Sequence, residues 1–177
     1  MSGVDGLQVV HLLHAQAQTR AGARAAIRLA LRTRMAATLG LEIERVEIAS
    51  VPGSAAQLLV DGLPGAGGMS LAHDGWLSIG ACYAHGAVGI DVMQVQDTDD
   101  WHAVARDYLG PRVLALLEHT PQSERARAFA QAWTAREAQL KCLGWGLAEW
   151  CELPAVGRVQ QVTAAPGYVA TVCITAT

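Results

Sequence analysis

Apolar and polar residues alternate along the chain with two different periods. Residues 7–15 form an apolar, β-branched run that predicts a strand, and the Ala-rich stretch from Arg20 to Leu39 predicts a long helix stopped by Gly40. In that helix Arg20, Arg24, Arg28 and Arg32 recur every fourth residue and share one slowly drifting face, while Ile27, Leu29, Leu31, Met35 and Leu39 supply apolar surface elsewhere. "IERVEIAS" and "AQLLVDG" predict two short strands on either side of a Pro-Gly-Ser turn, and "GLPGAGG" over 62–68 predicts a flexible internal boundary. "WLSIGACYA" and "AVGIDVM" predict two central strands joined as a hairpin at His85 and Gly86. After Thr98 the helical period returns. Asp97, Asp99 and Asp100 suit the positive end of a helix, Gly110 and Pro111 restart a second one through His119, and Pro121 opens the longest, over 122–143, closed by Gly144. The final segments, "GRVQQVTA" and "YVATVCITA", flank an "APG" turn and predict a β-hairpin.

A chain of 177 residues that is 51% apolar has ample material for a core, as one domain or two small halves. With 16% charged residues and a formal net charge of -3, it carries no global signal for nucleic acid or an anionic membrane as partner. The local charge differs from the average. No acidic residue stands between Gly6 and Leu41, where Arg20, Arg24, Arg28, Arg32 and Arg34 all lie, so this segment is either a solvated face or a phosphate-binding surface. Cys82, Cys142, Cys151 and Cys173 show no C-x-x-C spacing and read as reduced thiols, which predicts a cytoplasmic setting. No apolar run reaches the ~18 residues of a membrane span.

The candidate chemistry lies on two elements. Asp91 ends its strand's apolar core, and Glu137 and Lys141 lie one turn apart on the last long helix, where Lys141 is the only lysine among 13 basic residues. Two carboxylates brought together from a sheet and a helix are hard oxygen ligands suited to Mg²⁺, and a lysine beside them can hold a phosphate oxygen. The same spacing also describes an ordinary helical ion pair and a strand-end aspartate.

Residues 69–148 resemble the 4′-phosphopantetheinyl transferases, in particular the broad surfactin-synthetase-activating type. The resemblance rests on "GIDVM" (Gly89 to Met93), "WTAREAQLK" (Trp133 to Lys141), "GWGL" (Gly144 to Leu147) and "SLAHDGW" (Ser70 to Trp76), in the family's order. It implies an α+β fold with pseudo-twofold symmetry, each half an antiparallel sheet packed on a long helix, divided here into residues 1–68 and 69–177. It implies transfer of the 4′-phosphopantetheine arm of coenzyme A to a serine of an acyl or peptidyl carrier protein, releasing 3′,5′-ADP. In that scheme Asp91 and Glu137 hold Mg²⁺, Glu137 and Lys141 are catalytic, His73, Lys141 and Arg136 contact phosphates, and Arg20, Arg24 and Arg28 lie where the family binds the 3′-phosphate. A monomer is expected.

Four departures qualify the match. Met93 stands where a second strand carboxylate is usual, so a water is expected to complete the coordination. Arg136 replaces a lysine, and the "G-K-P" element is absent. Ala72 and Asp74 replace serines on either side of His73, and Asp74 puts negative charge beside a phosphate site unless its carboxylate is turned away. These leave two other readings: a family member that binds coenzyme A or a carrier protein without transferring anything, and a non-catalytic interaction domain that retains only the fold.

Overall fold

The computed structural model describes residues 4–14, 19–49 and 56–175; the predicted Pro-Gly-Ser turn, with Ser50 and Ala15, lies outside them. Among these residues the chain runs β1 (Leu7–Leu13), α1 (Arg20–Leu39), β2 (Val46–Ala49), β3 (Gln57–Val60), β4 (Leu63–Pro64), β5 (Gly68–Asp74), β6 (Leu77–Tyr83), β7 (Val88–Gln94), α2 (Trp101–Val104), α3 (Pro111–His119), α4 (Gln122–Cys142), β8 (Arg158–Val162) and β9 (Tyr168–Ile174). The strands form three antiparallel sheets, ordered β1-β6-β5, β2-β3-β4 and β7-β9-β8. The result is a mixed α/β fold with four helices, and none of them is long and apolar enough to cross a membrane.

Local signals set the helix ends. Thr19 caps α1 by accepting a hydrogen bond from the Gly22 amide at 3.1 Å, and Gly40 closes it in the left-handed region at φ 66°. Only Ala23, Ile27, Leu31, Met35 and Ala36 of α1 are buried, so Leu29 and Leu39, predicted as packing surface, face solvent. The spacing of four puts the arginines beside this stripe and not under it. Pro111 starts α3 where no intrahelical amide is needed, and a π-helical turn, Ala105–Leu109, links it to α2.

Two of the sheets share a core. The inward residues of β6 (Leu77, Ile79, Ala81, Tyr83) pack on those of β7 (Val88, Ile90, Val92) and β9 (Ala170, Val172, Ile174). The outward residues carry the helices: Cys82 of β6 and Met69 of β5 meet Leu31 and Met35 of α1, while Ala138 and Cys142 of α4 meet Cys173 of β9. Gly89 permits the last contact, since a Cβ there would overlap the Ala138 carbonyl.

The hairpin predicted at His85 and Gly86 does not form. β6 pairs with β1 and β5, and β7 crosses to pair with β9, because both strands already bury both faces and each supplies one sheet with its own partner. β6 is central as expected, whereas β7 is an edge strand covered by α4. The residue 62–68 stretch contains β4 and ends on the first residue of β5, and the pairing of β1 with β6 spans it.

Candidate active site

The edges of the two larger sheets meet where β5 runs beside β7, and side chains join them. The Ser70 hydroxyl accepts from the Ile90 amide at 3.0 Å, and Asp74 Oδ2 accepts from the Gln94 amide at 2.6 Å. Both bonds span twenty positions, so the strands run in the same sense along this seam. Trp76 adds a third tie by donating its amide to the Tyr168 hydroxyl at 3.1 Å. Asp74 is therefore occupied by the neighbouring backbone and turned to the seam, which resolves the charge conflict raised by the sequence.

Above the seam, between α1 and α4, a cleft of about 530 Å³ opens. Its walls bring together Arg20, Arg24 and Arg28 from α1, His73 from β5, Asp91 from β7 and Lys141 from α4. The next arginine of the stripe, Arg32, is used differently: its guanidinium donates twice to the Ile43 carbonyl, at 3.0 and 2.7 Å, and anchors the turn before β2.

Asp91 and Lys141 line one end of the cleft, while Glu137, near enough for its charge to act on Asp91, is not among the lining residues. Asp91 is 12% exposed at its side chain and Lys141 29%, and Lys141 Nζ sits 2.7 Å from Asp91 Oδ1 and 3.2 Å from the Ile90 carbonyl. Burial pushes the Asp91 carboxyl up to about 6; Lys141 opposes that rise and the nearby charge of Glu137 adds to it. Glu137 Oε1 is buried without a hydrogen-bond partner. A carboxylate oxygen so placed, next to a second crowded carboxylate, is a donor set that fits a hard divalent cation. Glu137 and Asp91 make two carboxylates, and the described residues contain no group of three or more His, Cys, Asp or Glu that could hold a metal.

Met93 lies on the same face of β7 as Asp91, but it packs in the apolar cluster of Ala105, Leu109, Leu117 and Phe129, with Trp133 alongside. Trp133 stacks on Phe129 with ring centroids 6.2 Å apart, so it is a packing residue. Arg136 does not line the cleft. Its side chain is buried against the other flank of α4 and donates to the Cys151 carbonyl at 3.0 Å.

His73 is held from beneath. Its Nδ1 is 2.8 Å from the hydroxyl of Ser78, and the same hydroxyl is 2.7 Å from His14 Nε2. Burial lowers the His73 pKa most, with His14, Arg20 and Arg24 contributing in the same direction and Asp74 opposing. Sequence reasoning missed Ser78, Ser70 and His14. Ser78 had a signal, a hydroxyl in an otherwise apolar strand; His14 is 64 residues away and had none.

Residues 87–171, just under half of the 177-residue chain, match the family model of the 4′-phosphopantetheinyl transferase superfamily. The chain is 31% identical over 84 residues to the 4′-phosphopantetheinyl transferase HetI of Nostoc sp., a match covering 48% of this chain and 35% of that protein. It is 27% identical over 121 residues to slr0495 of Synechocystis sp., provisionally named a 4′-phosphopantetheinyl transferase, covering 68% of this chain and 49% of that protein. The matched stretches thus span about a third and about half of those relatives' lengths.

Proposed function

We propose that this chain is a 4′-phosphopantetheinyl transferase, taking the phosphopantetheine arm from coenzyme A to the serine hydroxyl of an acyl or peptidyl carrier protein. The observation that carries the reading is the Asp91–Lys141 pair, with Glu137 close beside Asp91, at the end of a cleft walled by His73 and three arginines. A nucleotide diphosphate with a further phosphate is strongly anionic, and fixed cations on opposite walls complement it. Arg20, Arg24 and Arg28 would bind the 3′-phosphate, while His73 and Lys141 would bind the diphosphate.

Asp91 and Glu137 would hold Mg²⁺, which when bound supplies positive charge to the diphosphate leaving group. Met93 takes no part in this, since its thioether belongs to the apolar cluster and is the wrong donor for the ion. Glu137 accepts the proton of the carrier serine as its oxygen attacks phosphorus, and the phosphorus–oxygen bond to 3′,5′-ADP breaks. Lys141 turns from Asp91 towards the phosphates as the anionic donor enters, because a flexible ammonium follows the stronger negative charge.

The sheet orders support a pseudo-twofold arrangement. Within 7–83 the larger sheet is ordered first, last, penultimate strand (β1-β6-β5), and within 88–174 the order is again first, last, penultimate (β7-β9-β8), each with a long helix after the first strand. On this reading the junction of the halves would fall at 84–87, later than the boundary after residue 68 expected from the sequence. A monomer then carries a complete cleft.

Intact mass of apo carrier proteins incubated with this protein, coenzyme A and Mg²⁺ tests the reading: a gain of one phosphopantetheine arm is expected, and no gain with any carrier sinks it. One observation favours a second reading, a coenzyme A or carrier-binding protein without transfer: among the described residues only two carboxylates meet at the site, and one is already paired with Lys141. Calorimetric binding of coenzyme A without any mass gain would select it.

A further inference from the structure

We propose that His14 is a positioning residue for His73, acting through the Ser78 hydroxyl, and that this chain of three turns His73 Nε2 into a charged donor for an anionic phosphate in the cleft. The inference rests on the reading that the cleft takes a phosphorylated donor.

The geometry is specific. Ser78 is fully buried at the centre of the sheet, its Oγ lying 2.7 Å from His14 Nε2 and 2.8 Å from His73 Nδ1. The three residues are held by their backbones: Ser78 is the register partner of His73, and the His14 amide donates to the Trp76 carbonyl at 2.7 Å just beyond the end of β1. The rings are not stacked; their centroids are 5.9 Å apart with planes at 46°, so the hydroxyl is the link between them.

A serine hydroxyl has one proton, so between two ring nitrogens it donates to one and accepts from the other. In one arrangement Ser78 donates to His73 Nδ1 and accepts from His14 Nε2–H, which keeps His73 neutral. In the other, His73 Nδ1–H donates to Ser78 and Ser78 donates to His14 Nε2. Only the second allows His73 to carry protons on both nitrogens without leaving the buried hydroxyl proton unpaired. His14 is the acceptor that makes this possible, and it must stay unprotonated at Nε2 to serve.

The surroundings set when the switch occurs. Facing His73 are Arg20 and Arg24 from α1, Asp74 on its own strand, His14 at the end of β1, and Lys141 across the cleft from α4. Burial and the cations disfavour the charged ring in the free protein. A bound phosphate reverses that balance: His73 Nδ1 takes one proton from solvent, His14 releases its Nε2 proton to solvent and takes one on Nδ1 so that its charge is unchanged, and the Ser78 hydroxyl rotates to donate to His14 Nε2. His14 thereby acts on ligand affinity without lining the cleft.

Nitrogen-15 correlation spectra of the histidine side chains, with and without coenzyme A near pH 7, test this directly. The expected result is that both His73 nitrogens become protonated on binding while His14 Nε2 changes from protonated to acceptor. His14→Ala is expected to raise the coenzyme A Kd about tenfold near pH 7 and less at lower pH, and His14→Gln, whose amide oxygen can still accept, to recover most of it. If His14→Ala does not fold, the wild-type spectra and Ser78→Ala decide. A His73 ring that keeps one tautomer and charge throughout, or a His14→Ala Kd equal to wild type, overturns the proposal. Failure of wild type to bind coenzyme A would overturn the donor reading instead; inorganic diphosphate is then the titrant, and the same His73 and His14 signals stand or fall with it.

Discussion

α1 and α4 are of nearly equal length, 20 and 21 residues, and each lies on the outer face of a three-stranded sheet beside the same cleft. They use charge in opposite ways. α1 presents Arg20, Arg24 and Arg28 at the open side, where water screens them and their cost to folding is small. α4 carries Arg136 on one buried flank and Glu137 and Lys141 on another, partly buried one, where a charge persists only with a partner or a task. On the proposed function, the comparison separates attraction from chemistry: the first helix would gather the anionic donor, and the second would hold the groups that act on it.

The largest effect is expected from Glu137→Gln on α4. Transfer read by carrier mass should fall about a thousandfold, while thermal stability holds or rises because an unpartnered buried charge is removed. Undiminished transfer would make the two helices alike in function. Met93→Glu comes next and acts on folding. A carboxylate placed among Phe129, Leu117 and Trp133 should cost roughly 2–4 kcal/mol in urea unfolding, and a neutral result would move Met93 out of the apolar cluster. Lys141→Ala leaves the Asp91 carboxylate without its ion pair; because the ammonium is partly exposed, the loss in stability should be about 1–2 kcal/mol, alongside weakened donor binding.

Arg20→Ala and Arg24→Ala on α1 sharpen the contrast from the other side. Each should raise the coenzyme A Kd about three- to tenfold, with the difference shrinking at high salt, and should leave the unfolding midpoint nearly unchanged. A large loss of stability would mean that these arginines are structural. The smallest effect concerns pH. His73 has a folded pKa below its ordinary value of about 6.5. Below that value the unfolded chain binds the proton more readily than the folded one, so the stability contributed by neutral His73 is present above about pH 6.5 and is lost as pH falls below it. Urea midpoints of wild type and His73→Gln at pH 7 and pH 5.5 should show a shallower loss for the variant.

Much of the site was legible because it is written in local spacing. Glu137 and Lys141 sit one turn apart on any helix built from this stretch, and Asp91 alternates with apolar residues on any strand. The same spacing misled at Arg136, adjacent to Glu137 in the chain but turned to Cys151 on another flank of α4. It also misled at the predicted hairpin of β6 and β7, because a short turn between two apolar strands fits both a ladder and a crossing to another sheet.

The sequence alone determined where helices begin and end, which residues repeat on one face, and which carboxylates and cations were available, because these follow from backbone hydrogen bonds and periodicity within a few residues. Only the tertiary structure decided that Lys141 pairs with Asp91 across fifty positions and that Asp74 and Ser70 stitch the two sheets. It likewise decided that His14 reaches His73 through a buried hydroxyl. Such contacts depend on how sheets meet at their edges, and that is set by the shared apolar core and by no single stretch of chain.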